Sequence, residues 1–337
     1  MRNGLFTENS GRSETDQLSQ LSNMNTDSLN EEVHFRKRVN KTKKKDSQTS
    51  GKNEFGSNAR EEGAQEYIQL FPKQNSAITL TDTYSINHIA CISGEIAWLS
   101  NRKKVMKINL KGRILDTYII DDTRASASHT VDVNGDLFFI KDNDIHRVSS
   151  DGMTKTFLTP AWNVLSIYSS HISDDLILGT YIIDENHFKA KLLKYSKNRE
   201  LLQSIQYHQG KSLYSFPLFI SENTNRDICT TDIEKCVVTV VDGSGVFRFR
   251  YYGHSTEKGF FPTGICNNIY GQIIVCNRHY ANPSVHLLSS NGDIALIILT
   301  KNANGINDPY GVYADDEGNL YLGQHGSNTV MVYRYLQ

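Results

Sequence analysis

The last third of the chain carries one pattern twice. Phe261-Pro262-Thr263-Gly264-Ile265-Cys266 leads to Gly271-Gln272-Ile273-Ile274-Val275, then to Val285-His286-Leu287-Leu288 and Asn291-Gly292. Asp308-Pro309-Tyr310-Gly311-Val312 leads to Gly318-Asn319-Leu320-Tyr321-Leu322, then to Val330-Met331-Val332-Tyr333. Pro262 and Pro309 stand 47 residues apart, and so do Gly271 and Gly318. A period of that length, built of short apolar strands between turns, is that of a propeller blade. It sets the architecture and says little about chemistry.

Two series of turns extend the pattern upstream. One runs through Gly112, Gly152, Asn198, Gly245 and Gly292, in steps of 40, 46, 47 and 47 residues. The other runs through Gly94, Gly135, Asp175, Asn225, Gly271 and Gly318. Gly, Asn and Asp tolerate positive φ and join adjacent antiparallel strands. The two series together divide the chain into six blades, near 85–120, 126–159, 162–207, 215–252, 260–299 and 308–336. The sixth has three strands of its own, and the apolar stretch within Ser76–Tyr84 is expected to supply the fourth, closing the ring and removing open sheet edges. The expected fold is all-β: a six-bladed β-propeller over residues 73–337.

Residues 1–72 have another texture. They are rich in Ser, Asn, Thr, Gln, Glu and Lys, with few apolar residues and no sustained period. Such a segment buries too little surface to offset its ordering entropy, so disorder is expected. Within it lies a basic run, residues 36–45, containing Arg36, Lys37, Arg38, Lys43, Lys44 and Lys45. It is a nuclear-import signal, an anchor to anionic polymer, or a solvated linker.

The formal net charge of −1 gives no global attraction to DNA or to acidic membranes. No apolar run approaches the ~20 residues of a membrane helix, and the N-terminus has no apolar signal-peptide core. A cytoplasmic protein is expected, with nuclear entry if the basic run acts. The five cysteines are odd in number and without C-x-x-C spacing, so neither a disulfide framework nor a zinc knuckle is expected.

The last two blades resemble NHL repeats. The matching positions are Pro262, Gly264, Ile265, Gly271, Ile273-Ile274-Val275, Asn277, Val285 and Asn291-Gly292, then Pro309, Gly311, Val312, Gly318, Leu320-Tyr321-Leu322, Asn328 and Val330. The region 76–337 is similar to the C-terminal propeller of the tripartite-motif NHL family, and the four earlier blades are more degenerate. RING and B-box domains need dense Cys/His sets, whereas residues 1–72 hold no Cys and one His, His34. The resemblance implies a non-catalytic binding scaffold that recognises a protein partner, as the substrate-recognition part of a ubiquitin-ligase system. Its alternative is a propeller that binds single-stranded RNA for post-transcriptional regulation. A monomer is expected, since the family's coiled coil is missing.

In a propeller, the loops joining strands two to three and each blade to the next open on one face, called here the first face. The candidate binding residues there are Arg102, Lys103, Arg124, Tyr181, Phe188, Tyr310 and His325, together with the loop Asn277-Arg278-His279-Tyr280. Cations suit an anionic partner, and rings can stack on bases or fill peptide pockets. The opposite face is acidic. Six histidines, His88, His129, His171, His254, His279 and His325, fall near blade openings. Six-bladed propellers can hold a metal at the axis through such residues, and the amidating lyases, which are also NHL-like, do so. That supplies a third reading, a metal-dependent lyase or hydrolase. No H-E-x-x-H or G-x-S-x-G motif occurs, so no catalytic residue, metal or cofactor is expected.

Overall fold

The computed structural model describes residue 68 and residues 71–336, apart from 94, 122–126, 185–186 and 258. The basic run at 36–45 and nearly all of the tail 1–72 lie outside the described residues.

Strand β1 (Gln74–Thr79) comes first. Blade one is β2 (His88–Ser93), β3 (Ile96–Ser100), β4 (Lys104–Asn109) and β5 (Ile114–Ile119). Blade two is β6 (His129–Val131), β7 (Leu137–Lys141), β8 (Asp144–Val148) and β9 (Thr154–Leu158). Blade three is β10 (Asn163–Ser169), β11 (Leu176–Asp184), β12 (His187–Tyr195) and β13 (Leu201–Ile205). A minor hairpin, β14 (Tyr207–His208) and β15 (Lys211–Ser212), leads to blade four. That blade is β16 (Pro217–Glu222), β17 (Ile228–Asp232), β18 (Val237–Val241) and β19 (Phe247–Tyr251). Blade five is β20 (Pro262–Asn267), β21 (Ile273–Asn277), β22 (Ser284–Leu288) and β23 (Ala295–Thr300), followed by the single-turn α1 (Lys301–Asn304). Blade six is β24 (Pro309–Ala314), β25 (Asn319–Gln324) and β26 (Thr329–Arg334), with β1 as its outer strand.

Each blade is a four-stranded antiparallel meander, and the expected closure is present. β1 pairs antiparallel with β26, Ile78 opposite Val330 and Thr79 opposite Thr329. Ile78, Leu80 and Val330 are buried in one core cluster with Ile86, Leu99 and Met106 of blade one. The closing strand therefore fills the gap between the last blade and the first.

Burial follows position in the blade. β18 (Val-Val-Thr-Val-Val) is buried throughout because a neighbouring blade covers each of its faces. Outer strands such as β9 leave most residues in water. The six inner strands β2, β6, β10, β16, β20 and β24 each contact the next, and β24 returns to β2, so they ring an axis. Two motif glycines make this ring tight. A Cβ on Gly264 would lie 2.2 Å from the Tyr310 carbonyl oxygen, and one on Gly311 would lie 3.1 Å from the His88 Cα. Adjacent inner strands thus approach backbone to backbone, leaving no room for a side chain at Gly264 and little at Gly311.

Candidate active site at the axial mouth

The inner strands begin at the first face, so their first residues gather around the axial opening. His88 is the first residue of β2, His129 the first of β6 and Tyr310 the second of β24. Phe219 sits in β16 at a bulge that shifts register between Pro217 and Phe219. A bulge re-aims a side chain, and here Phe219 stacks on His88 at 5.1 Å across the ring of blades. Tyr310 meets Phe219 edge-on at 5.8 Å, and the His325 ring is 6.4 Å from Tyr310. A chain of rings thus runs from the rim to the axis.

At the inner end, the His129 backbone N–H donates to His88 Nδ1 at 3.3 Å. His88 Nδ1 is therefore an acceptor, and its proton is assigned to Nε2. His129 Nδ1 faces the same atom at 3.2 Å, with the Ala127 carbonyl 3.4 Å away as a second acceptor, so His129 carries its proton on Nδ1. His129 Nε2 is then a buried nitrogen with no partner. Burial holds both imidazoles neutral. It lowers His129 to about 4, although the carbonyls of Ala127 and Trp98 pull the other way. His88 is driven well below 6.5 by burial and then by the neighbouring His129.

At the outer end, Asp308 precedes β24 with φ of 51°, a conformation uncommon outside glycine. Its carboxylate takes two bonds from Arg278, Nε to Oδ1 at 2.6 Å and Nη2 to Oδ2 at 2.9 Å. Its Oδ2 also faces His325 Nδ1 at 3.3 Å. A backbone bond from the His325 N–H to the Asp308 carbonyl, 3.0 Å, fixes the two loops together. The Arg278 guanidinium lies 5.0 Å from the centre of the Tyr310 ring. The His325 side chain is 46% exposed. The carboxylate thus lies against the Nδ1 edge of a half-exposed imidazole.

Arg278 is held by a buried hub beneath its loop. Asn277 Oδ1 accepts from the Phe261 and His279 N–H groups, and Asn277 Nδ2 donates to Glu257 Oε2 at 2.9 Å. His286 Nε2 is 2.9 Å from Glu257 Oε2 and 2.8 Å from Ser284 Oγ. The Tyr251 hydroxyl is 2.8 Å from His286 Nδ1. Serine, histidine and glutamate are all present, but the serine and the acid share one nitrogen. A nucleophilic triad needs them on opposite nitrogens, so this hub is a fastener.

The sequence-predicted residues separate accordingly. Arg278, Tyr310 and His325 converge on Asp308. Asn277 is consumed by internal bonds. His279 packs beside Phe261 at 6.1 Å, and Tyr280 is 87% exposed beside it. Tyr181 and Phe188 stack on each other at 5.0 Å on blade three. Arg102 and Lys103 are exposed in the β3–β4 loop, with no side-chain bond into the cluster, and Arg124 lies outside the described residues. Asp308 and Phe219 were missed. Asp308 had one signal, its place directly before the Pro of the repeat. Phe219 had none, because blade four lacks the clear repeat pattern.

A cation fits this mouth poorly. Calcium takes six to eight oxygen ligands and catalytic zinc three protein ligands. The axial donors are two imidazoles beside a phenylalanine ring, and Asp308 is already bound by Arg278. Among the described residues no three His, Cys, Asp or Glu side chains come together as a metal site requires.

No protein-family model matches the chain, and no characterised protein matches its sequence. Solved structures do match in shape. Virginiamycin B lyase from Staphylococcus aureus aligns with TM-score 0.51 and 17% identity, over 74% of this chain and 81% of its own. A gluconolactonase from Xanthomonas campestris aligns with TM-score 0.56 and 13% identity, over 80% and 89%. The calcium-binding regucalcin from Agrobacterium tumefaciens aligns with TM-score 0.55 and 10% identity, over 80% and 94%.

These findings keep the six-bladed propeller and correct the rest of the resemblance. The structures compared include lyase and gluconolactonase propellers, and no family model supports the tripartite-motif NHL resemblance. The expectation of a non-catalytic scaffold is corrected with it, because propellers of this shape include enzymes. The physical reason the sequence misled is that the P-x-G pattern reports tight packing of inner strands, at Gly264 and Gly311, and not the use made of the face.

Proposed function

We propose that the chain is an enzyme that opens an ester bond in a small cyclic substrate at the first-face mouth of the axis. The observation that carries this is His325, a half-exposed imidazole whose Nδ1 faces the Asp308 carboxylate at 3.3 Å. That is the arrangement of an oriented general base.

In hydrolysis, His325 Nε2 takes a proton from water as the water oxygen bonds to the carbonyl carbon. Asp308 stabilises the resulting imidazolium. Arg278 uses Nε and Nη2 on Asp308 and retains Nη1–H for the oxyanion. Collapse breaks the ring C–O bond, and the imidazolium returns its proton to the leaving oxygen, giving a hydroxy acid. In elimination, the same base removes a proton next to the bond that breaks, giving an alkene and a carboxylic acid. Neutral His88, with its proton on Nε2, supplies a further uncharged donor at the inner end, as a neutral imidazole can.

The neighbours support this class of chemistry. One is a gluconolactonase. Another is the virginiamycin B lyase, of which a histidine-to-alanine variant is catalytically inactive. No step is drawn through a cation, since the donor set at the mouth does not suit one. The test is a panel of lactones and a cyclic depsipeptide, followed by proton release and by mass spectrometry. A mass gain of one water marks hydrolysis, and an isomeric alkene product marks elimination. Wild-type protein that opens none of them faster than buffer would overturn the reading.

A further inference from the structure

The β11–β12 hairpin is the longest in the ring. Its strands have nine residues each, against five or six in the corresponding strands of the other blades. The extra length projects from the first face between the third and fourth blades. Its two faces differ, as the two-residue period of a strand allows. Ile183 pairs with Phe188 and Tyr181 with Ala190, which puts Tyr181, Ile183 and Phe188 on one side. Ile182 pairs with Lys189 on the other, where Asp184 also lies. On that second side Lys189 Nζ bonds Asp184 Oδ2 at 2.8 Å.

The apolar side is turned toward blade four. Tyr181 stacks on Phe188 with 11° between their planes, and both rings lie 6.3 Å from Phe216. Phe216 in turn packs against the core cluster that contains Phe219 and Tyr310. Phe216 therefore links the rings of the hairpin to the core cluster that reaches the axial mouth. Yet this side stays open to water: Phe188 is 45% and Ile183 65% exposed. A salt-bridged outer side and an uncovered aromatic inner side, at the rim of the mouth, form a wall rather than a random surface patch.

We infer that this wall is a subsite for a planar aromatic group of the substrate, with Phe188 and Tyr181 as its specificity-determining residues. The inference rests on the proposed ester-opening function and narrows its substrate class to lactones or cyclic esters bearing an aryl ring, rather than bare sugar lactones. A planar ring offset against Phe188 gains stacking that a saturated ring lacks.

The test separates binding from turnover. Binding of 7-hydroxycoumarin is followed by its own fluorescence anisotropy in wild type, Phe188→Ala, Phe188→Tyr and His325→Ala. Turnover of 3,4-dihydrocoumarin and δ-valerolactone is measured in the same four proteins. The wall is expected to bind the probe in wild type, Phe188→Tyr and His325→Ala, and about five- to tenfold more weakly in Phe188→Ala. Phe188→Ala is expected to raise KM for the aromatic lactone and to leave δ-valerolactone unchanged. Phe188 is a surface ring, so an unchanged melting transition is expected to accompany the loss. No probe binding by wild type, or equal binding by Phe188→Ala, overturns the wall whatever the turnover shows. Probe binding intact with no lactone opened overturns the enzymatic reading and leaves the ring-binding wall standing.

Discussion

The buried imidazole pair makes stability depend on pH in a calculable way. His129 has an ordinary value of 6.5 when the chain is unfolded and about 4 in the folded ring. Above pH 6.5 both states are neutral and the group contributes nothing to the pH dependence. Below 6.5 the unfolded chain binds a proton that the folded one refuses, so stability falls with pH until the folded value near 4 is passed. A difference of that size corresponds to roughly 3 kcal/mol, acquired as a loss between those two pH values. The perturbation is His129→Asn, whose side-chain amide can donate near the position of Nδ1 but does not titrate. Urea unfolding followed by circular dichroism, at half-unit steps from pH 7.5 to 4, reads the difference. The carboxylates titrate in both proteins and cancel on subtraction, whereas His88 loses the His129 neighbour that lowers it, so the difference reads the imidazole pair. Wild type is expected to lose about 3 kcal/mol more than the variant across this window, with the gap opening below pH 6.5. Superimposable profiles would show that His129 is solvated in the folded ring, and the inner end of the site would have to be redrawn.

Other outcomes follow from the same packing. Ile78→Ala in the closing strand removes a buried side chain shared with Val330 and is expected to cost about 2–5 kcal/mol, read as a lowered melting temperature; a loss under ~0.5 kcal/mol would mean that β1 does not close the ring. Glu257 carries a lowered pKa: burial raises it, but the bonds to His286, Ser284 and Asn277 outweigh burial. Its stabilisation is present above the unfolded value of 4.5 and is lost as pH falls through the lower folded value. Glu257→Gln is therefore expected to show a shallower acid limb in the same unfolding assay. Arg278→Lys keeps the charge but cannot make the two-point bond to Asp308, and is expected to lower kcat/KM for a lactone by about 10²-fold.

Much of the fold was legible because its period is a backbone property. Gly112, Gly152, Gly245 and Gly292 in one series and Gly135, Gly271 and Gly318 in the other have positive φ, so these turns could be followed by residue type; at the turns assigned to Asn198, Asp175 and Asn225 the positive φ falls on the neighbours Arg199, Asp174 and Arg226. The closing strand was legible for a related reason: three strands in blade six and a spare apolar stretch before blade one left one economical pairing. The site was only partly legible. Arg278, Tyr310 and His325 were singled out as a cation, a ring and a donor near one face, yet the residue that unites them, Asp308, reads as an ordinary turn acid. Its role depends on two loops meeting in space, and no spacing in the chain encodes that. The buried hub of Tyr251, Glu257, Ser284 and His286 was invisible for the same reason. Asn277 was taken for a surface contact because its loop is polar, whereas its side chain bonds inward to hold the loop up.

The most direct test is a comparison of wild type, His325→Ala and Asp308→Asn on a lactone panel, with proton release recorded at constant pH. If His325 is the base and Asp308 orients it, wild type opens at least one lactone. His325→Ala then loses about 10²- to 10⁴-fold in kcat, and Asp308→Asn falls between the two, with all three melting alike. A wild type that opens no lactone, or a His325→Ala variant as active as wild type, would contradict the assignment of the axial mouth as an active site.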